Sequence, residues 1–182
     1  MKSIFTEGEA QGITAVLESK EARVRLQKQL LQKEPHAVLV DVKLNIPGPI
    51  KNNRNLTQLF EVGCKTLEND LKELQGSFSV AARWNKVTGC ENFYLVEQIS
   101  PYRVKEATVA FEDDFSLGRL FDADVLIAKQ PEAISRRQLG LPVRRCFICQ
   151  RPAKICSRSR RHSVEDLQKF ISDLYFKEVH AK

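Results

Sequence analysis

Two aspartates, Asp122 and Asp124, stand two residues apart and have the spacing of a metal-binding pair. On an extended backbone this spacing places both side chains on the same face of a strand. Two neighbouring carboxylates repel each other unless a cation lies between them. A hard divalent ion such as Mg²⁺ or Mn²⁺ suits oxygen ligands and keeps coordination places for phosphate oxygens. The pair therefore predicts a metal site, although Asp-x-Asp also arises by chance.

Neighbouring residues extend this interpretation. Gly118 lets a backbone come close to a phosphate, and a glycine followed shortly by Asp-x-Asp resembles the catalytic core of the nucleotidyltransferase superfamily. There, two metal ions hold a triphosphate and activate the attacking hydroxyl. Upstream, Glu112 is a possible third metal ligand from a neighbouring strand. A polar turn rich in acidic residues is the alternative for that segment.

Three cysteines and a histidine form a second candidate metal site. Cys146 and Cys149 have Cys-x₂-Cys spacing, and Cys156 and His162 follow. Cys₃His is a known tetrahedral ligand set for structural Zn²⁺. Reduced, partly buried cysteines in a basic loop are the alternative. A redox role is less favoured because no thioredoxin-like βαβ pattern precedes the motif.

Positive charge is concentrated near the same motif. Between Arg136 and Arg161 there are nine Arg or Lys residues and no Asp or Glu. Such a block attracts phosphates, nucleic acid or an acidic partner protein, and a solvated surface is the plain alternative. The forked guanidinium groups of four arginines suit phosphates in particular: Arg136, Arg137, Arg144 and Arg145.

A proline-rich turn, Pro47-Gly48-Pro49-Ile50-Lys51, connects a predicted strand to a predicted helix. Lys51 lies near the N-terminus of that helix, where anions are favoured. The lysine is therefore a candidate phosphate contact. The turn could equally serve only as a rigid connection.

Hydrophobic periodicity predicts the elements that position these residues. Helices are expected over roughly residues 8–34, over 56–74, and after Ser163, whose hydroxyl forms a capping box with Asp166. Strands are expected near residues 38–44 (with one face in the core), 78–84, 93–99, 106–111 and 124–128. The fold class is α+β, with a mixed or antiparallel sheet flanked by helices.

Length and composition narrow the class of protein. The 182 residues suggest a single domain over 1–182, with residues 136–162 forming a basic Cys/His segment within it. No stretch has the apolar length of a membrane span, and residues 1–12 contain no signal-like apolar run, so we expect a cytoplasmic protein. In a reducing compartment, five cysteines indicate free thiols or metal ligands rather than disulfides. His36 and His180 are expected to be exposed.

A set of motifs in fixed order resembles the apo-citrate lyase phosphoribosyl-dephospho-CoA transferase family, also called holo-citrate lyase synthase. The resemblance extends from about residue 37 to the final helix, and its C-terminal motif is the most specific part. Phe121 stands where the family usually has Trp. The motifs are Gly48-Pro49-Ile50-Lys51, Leu117–Val125, Ser135-Arg136-Arg137, Arg144–Cys149, and Ala153 with Cys156, Arg158 and His162.

The resemblance implies a reaction. A serine hydroxyl on the citrate lyase acyl carrier (gamma) subunit attacks the phosphorus nearest the ribose of 2'-(5''-triphosphoribosyl)-3'-dephospho-CoA, and diphosphate leaves. The nucleophile belongs to the partner, so no catalytic serine is expected in this chain. Asp122 and Asp124 would bind Mg²⁺, while Arg119 and Lys51 would contact phosphates. The C-terminal arginines would dock the acidic carrier or the diphosphate.

Three alternatives remain. The first is the equivalent transferase for the malonate decarboxylase carrier protein. The second is a zinc-bearing nucleic-acid-binding protein, although the basic block offers only Phe147 as an aromatic for stacking on bases. The third is a non-catalytic assembly factor for citrate lyase. We expect neither nucleic acid nor a membrane as the partner.

Overall fold

A four-stranded sheet forms the centre of the computed structural model, which describes residues 2–179. The strands are β1 (Val38–Leu44), β2 (Ser77–Lys86), β3 (Gly89–Glu97) and β4 (Phe121–Leu126). The helices are α1 (Ile13–Lys33), α2 (Arg54–Glu73), α3 (Pro101–Asp114), α4 (Ala153–Arg158) and α5 (Val164–Glu178). Two 3₁₀ turns, Gly118–Leu120 and Arg136–Leu139, complete the elements.

The strand order is β2-β3-β1-β4, and every neighbouring pair is antiparallel. The predicted α+β class is confirmed, and of the two predicted sheet types the antiparallel one is present. The sequence pattern predicted only one buried face for β1, and this was wrong. Its second face is buried as well, because Leu39 packs with Phe93 of β3 and with Leu31 of α1.

The main core lies on the opposite face of the sheet, where Val38, Val40 and Val42 point. Helix α2 contributes an apolar stripe, and the Asn53 side chain caps the helix by accepting a hydrogen bond from the Leu56 amide. The stripe consists of Leu56, Leu59, Phe60, Cys64, Leu67 and Leu71, all buried. Helix α5 begins with the predicted capping box of Ser163 and Asp166, which is confirmed.

One predicted element is wrong. The segment 106–111 was expected to be a strand, but it lies within α3. Its buried residues Val104, Thr108 and Phe111 recur at helical spacing, and Pro101 occupies a first-turn position, where it is tolerated. Alternation over so few residues is compatible with the two-residue period of a strand and with the 3.6-residue period of a helix. The spacing of the buried residues along the whole of α3 distinguishes the two.

Other boundaries differ by a few residues. Helix α1 begins at Ile13 rather than near residue 8, and β4 runs from Phe121 to Leu126 rather than over 124–128. Within residues 2–179, no helix is both long and apolar enough to traverse a bilayer. His36 is exposed as expected, whereas His180 lies outside the described residues.

Candidate functional site

The aspartate pair lies on β4, facing the neighbouring strand β1. In the strand register Asp122 stands opposite Lys43, and Asp124 stands opposite Asp41. The Lys43 Nζ atom is 2.8 Å from Asp124 Oδ2 and 3.2 Å from Asp122 Oδ2. Both carboxylates therefore lie on the same face of β4, as the spacing predicted, and both contact the Lys43 ammonium. Each aspartate side chain is 37% exposed, so the pair is accessible from solvent.

The two carboxylates could hold a hard divalent ion only in place of the Lys43 ammonium. Carboxylates are the ligands that Mg²⁺ prefers, and the Lys43 ammonium marks a position where both carboxylates can contact one positive charge. Burial alone would lower the pKa of Lys43, but the charges of Asp41, Asp124 and Asp122 outweigh it and raise the pKa. The lysine therefore remains charged, and a metal ion would have to displace it.

A further carboxylate, Asp41, stands beside Asp124 on the neighbouring strand β1 and contacts α1 through Gln27. Asp41 is fully buried; its Oδ2 accepts a hydrogen bond from Gln27 Nε2 at 2.6 Å, while its Oδ1 has no hydrogen-bond partner. Burial raises the pKa of Asp41 well above its usual value; the charges of Lys43 and Arg23 oppose this, and that of Glu91 adds to it. Arg23 also forms an ion pair with Glu91.

Asp122 is held by cations on two sides. Burial would raise its pKa, but the positive charges of Lys43 and Arg144 outweigh burial and lower it. The Arg144 Nη1 atom lies 3.4 Å from Asp122 Oδ1. Its Nη2 donates to the Arg119 carbonyl at 3.1 Å and to the Phe121 carbonyl. Arg144 thus connects the basic segment to the start of β4, and Asp122 is ionised at neutral pH.

A cavity of about 680 Å³ opens beside Arg144, a size typical of small-molecule sites. Arg119 also lines it, and the pKa of Arg119 is lowered by burial and by the positive charge of Arg144. The cavity lies between the Pro47 turn, the basic segment and the start of α5. Its lining further includes Asn45, Ile46, Arg145, Cys146, Phe147, Arg160, His162 and Leu167.

Glu112, proposed as a third metal ligand, has both oxygens engaged by other groups. It lies near the end of α3 rather than on a strand. Its Oε1 accepts from the Ala123 amide at 2.9 Å, and its Oε2 accepts from Arg136 Nη2 at 2.6 Å. Arg136 also donates to both oxygens of Asp113. These contacts attach α3 to β4, so Glu112 and Arg136 support the strand that carries the aspartate pair.

Lys51 and Gly118 make structural contacts. The Lys51 Nζ atom donates to the Ile46 carbonyl at 2.8 Å, and burial lowers the pKa of this lysine. A Cβ atom at Gly118 would lie 2.1 Å from the Phe111 carbonyl oxygen. The glycine thus permits close packing of the 3₁₀ turn on α3.

The remaining predicted phosphate contacts, Arg137 and Arg145, are exposed. Arg145 lines the cavity, and its Nη1 donates to the Gln150 carbonyl at 3.0 Å. Of the four predicted arginines, Arg144 alone contacts the aspartate pair through a described ion pair.

The fold brings the predicted Cys/His set together. The ligand atoms of Cys146, Cys149, Cys156 and His162 all lie within 4.8 Å of one another, so this group could hold a metal such as zinc. The Sγ atoms of Cys149 and Cys156 are 3.7 Å apart. Hydrogen bonding to His162 lowers the pKa of Cys149 to about 6, whereas burial raises that of Cys156 to about 11.

Sequence reasoning missed Lys43 and Asp41. Their role depends on which residues of β1 stand opposite β4, and this register is a tertiary feature. A signal was nevertheless present, because two charged residues alternate within the otherwise apolar run Val38–Leu44. A charge at a buried strand position requires a partner.

Comparisons with known proteins agree on one family. Residues 11–178 match the family model described as apo-citrate lyase phosphoribosyl-dephospho-CoA transferase. A Streptococcus pyogenes protein named as a probable enzyme of this kind is 38% identical over 175 residues, which cover 95% of this chain and 90% of that protein. A Vibrio cholerae protein with the same name is 38% identical over 157 residues, covering 85% and 86% of the two chains.

A longer relative matches as well. Protein CitXG of Leuconostoc mesenteroides is 35% identical over 162 residues, which cover 89% of this chain but 34% of that protein. The family match covers the β4 aspartates, the basic segment and the Cys/His set alike. The chain belongs to the apo-citrate lyase phosphoribosyl-dephospho-CoA transferase family.

Proposed function

We propose that this protein transfers the phosphoribosyl-dephospho-CoA group from 2'-(5''-triphosphoribosyl)-3'-dephospho-CoA to a serine of the citrate lyase acyl carrier subunit. The serine Oγ forms a bond to the phosphorus nearest the ribose. The bond from that phosphorus to the diphosphate oxygen breaks, the serine hydroxyl proton passes to water, and diphosphate leaves. The product is a phosphodiester between the carrier and the prosthetic group, by a nucleotidyltransferase-type reaction.

The observation that carries this proposal is the position of two aspartates beside an arginine-lined cavity. Asp122 and Asp124 face a common cation position, and Arg144 contacts Asp122 while lining the cavity. Arg119 lines the same cavity close enough to Arg144 for their charges to repel. A triphosphate bound there would relieve this repulsion, because guanidinium groups pair well with phosphate oxygens.

Each residue has a distinct part in the proposed reaction. Asp122 and Asp124 would hold Mg²⁺, which when bound would neutralise phosphate charge and polarise the attacking hydroxyl. Asp122 has a lowered pKa, so it serves as an anionic ligand rather than a general base. Arg119 and Arg144 would stabilise negative charge on the departing diphosphate. Asp41 is buried on the neighbouring strand, opposite Asp124, and contacts no solvent, so it would act through Lys43.

Mass spectrometry of the carrier subunit tests the proposal. Purified apo-carrier is incubated with this protein, the triphosphate precursor and Mg²⁺. The carrier should gain the mass of the precursor minus diphosphate. The gain should be absent from a carrier whose acceptor serine is replaced by alanine. It should also disappear with Asp122→Asn or Asp124→Asn, because the amide oxygen lacks the negative charge of the carboxylate ligand it replaces.

The matched control is Asp114→Asn, which makes the same chemical change at an exposed residue at the end of α3. This variant should retain transfer. Retained transfer by both β4 variants would refute the assigned role of the pair. A folded protein that modifies the malonate decarboxylase carrier but not the citrate lyase carrier would refute the proposed acceptor.

A further inference from the structure

We propose that one structural zinc ion is bound by Cys146, Cys149, Cys156 and His162. This ion would fix the loop of residues 143–162, in which Arg144 contacts Asp122. Three thiols and one imidazole form a closed tetrahedral set. A closed set leaves no position for substrate, so the role is structural. The proposal concerns metal content and loop order, and it can be tested without the transfer reaction.

The distances agree with a tetrahedral site. Sulfur ligands about 2.3 Å from a zinc ion lie about 3.8 Å apart at tetrahedral angles. The Cys149 and Cys156 Sγ atoms are already 3.7 Å apart, and all four ligand atoms lie within 4.8 Å. All three cysteines are free thiols rather than disulfide partners.

An independent observation comes from the histidine. The His162 Nε2 atom is buried and has no hydrogen-bond partner. A buried polar atom without a partner loses free energy on folding. Coordination through Nε2 would satisfy this atom, and one ring nitrogen of His162 lies within 4.8 Å of the three thiol sulfurs.

The backbone around the first two cysteines forms a tight turn. The Cys146 amide donates to the Arg151 carbonyl at 2.7 Å, and the Gln150 amide donates to the Cys146 carbonyl at 3.1 Å. Gln150 has a positive φ of 58°, which non-glycine residues rarely adopt. This turn directs Cys146 and Cys149 towards Cys156 on α4. A strained turn persists when the surrounding contacts require it, and metal ligation supplies such a requirement.

Apolar side chains around the ligands are partly exposed and partly packed on the core. Val143 is 64% exposed and Ile155 is 62% exposed. Phe147 stacks on Phe170 of α5, with ring centroids 5.1 Å apart. Phe147 also packs against the main core, and a bound metal would add to this apolar anchor, as in other small metal-bound segments.

Arg144 is connected directly to the ligand loop. The Ala153 amide donates to the Arg144 carbonyl at 2.8 Å, and Arg145 forms a β-bridge with Pro152. An ion bound by Cys146, two residues later, would therefore restrain the Arg144 backbone. Its guanidinium then reaches Asp122 and the Phe121 carbonyl.

Metal analysis of the full chain, purified without a histidine tag and under reducing conditions, tests zinc binding. We expect about one zinc per chain after dialysis against metal-free buffer. Cys149→Ser should lose this zinc, whereas Cys90→Ser, the same change at a buried cysteine outside the group, should keep it. A folded wild-type protein without zinc, or with a Cys149–Cys156 disulfide instead, would overturn the proposal.

Limited trypsin digestion tests the link to Arg144, and it does not require the variants to be stable. The zinc-loaded protein should resist cleavage after Arg144 and Arg145. Wild-type protein stripped of zinc should be cut there faster, with sites outside residues 143–162 unaffected. Equal cleavage of both forms would overturn the proposed effect of zinc on the position of Arg144. Metal binding itself is tested by the zinc measurement. Neither measurement uses the transfer reaction, so both remain valid if the proposed function fails.

Discussion

Replacing Lys43 by methionine is the sharpest test of the cation position between the two aspartates. The lysine Nζ lies 2.8 Å and 3.2 Å from the two carboxylates, and its own side chain is 16% exposed. Removing one member of a buried ion pair costs about 3–5 kcal/mol. The aspartates are 37% exposed, and solvent screening reduces this cost to about 2 kcal/mol. For a chain of this size, the melting temperature should fall by roughly 4–8 °C.

Magnesium should partly restore the melting temperature of Lys43→Met. Without Lys43, the ion no longer has to displace an ammonium worth about 2 kcal/mol, so the metal should bind roughly 30-fold more tightly than to the wild type. At ten times the dissociation constant, binding adds about 1.4 kcal/mol, or roughly 3–6 °C in melting temperature. Lys43→Met should therefore respond to Mg²⁺ concentrations that leave the wild type unchanged.

The assay is thermal unfolding across a MgCl₂ titration, with NaCl used to hold ionic strength constant. Lys20→Met, the same change at an exposed position of α1, serves as the control and should behave like the wild type. Adding Asp122→Asn to Lys43→Met should abolish the magnesium response. If Lys43→Met needs as much Mg²⁺ as the wild type, the ion does not bind where the ammonium lies, and the reasoning fails.

Two further predictions concern the residues that support the pair. Burial raises the pKa of Asp41, so this carboxyl group costs stability as pH rises from its unfolded pKa of about 4 towards its higher folded value. Asp41→Asn should therefore gain in melting temperature relative to the wild type as pH increases above 4, and a gain that shrinks with pH would contradict this sign. Gly118→Ala places a Cβ atom 2.1 Å from the Phe111 carbonyl oxygen and should cost about 1–3 kcal/mol in denaturant unfolding. Gly12→Ala adds an atom with nothing within 4 Å and should cost less, about 0.5 kcal/mol, because alanine is a poorer N-cap of α1 than glycine; equal losses at both positions would refute the packing argument.

Local patterns predicted the parts of the fold that depend on local physics. The capping box at Ser163 and the spacing of Asp122 and Asp124 depend on residues close in the chain, and both occur as predicted. The strand predicted over 106–111 failed because a short alternating run also fits a helix, and the longer spacing of Val104, Thr108 and Phe111 then decides.

The environment of the pair could not be predicted in the same way. Lys43 meets Asp122 only because β1 and β4 are neighbours in one particular register, although some eighty residues separate them in sequence. Arg144 reaches the same carboxylate from the basic segment. From the sequence alone, Arg144 was one of four equivalent candidate phosphate contacts. Only its tertiary contacts distinguish it from the exposed Arg137.

Charge balance explains how one lysine can be compatible with a metal site. Without metal, Lys43 offsets the repulsion between Asp122 and Asp124, and its raised pKa keeps it charged. In the proposed reaction, a divalent ion would take over that role and bring the negative charge of a triphosphate with it. The position between the two aspartates would thus hold a cation both in the unloaded sheet and in the proposed reaction.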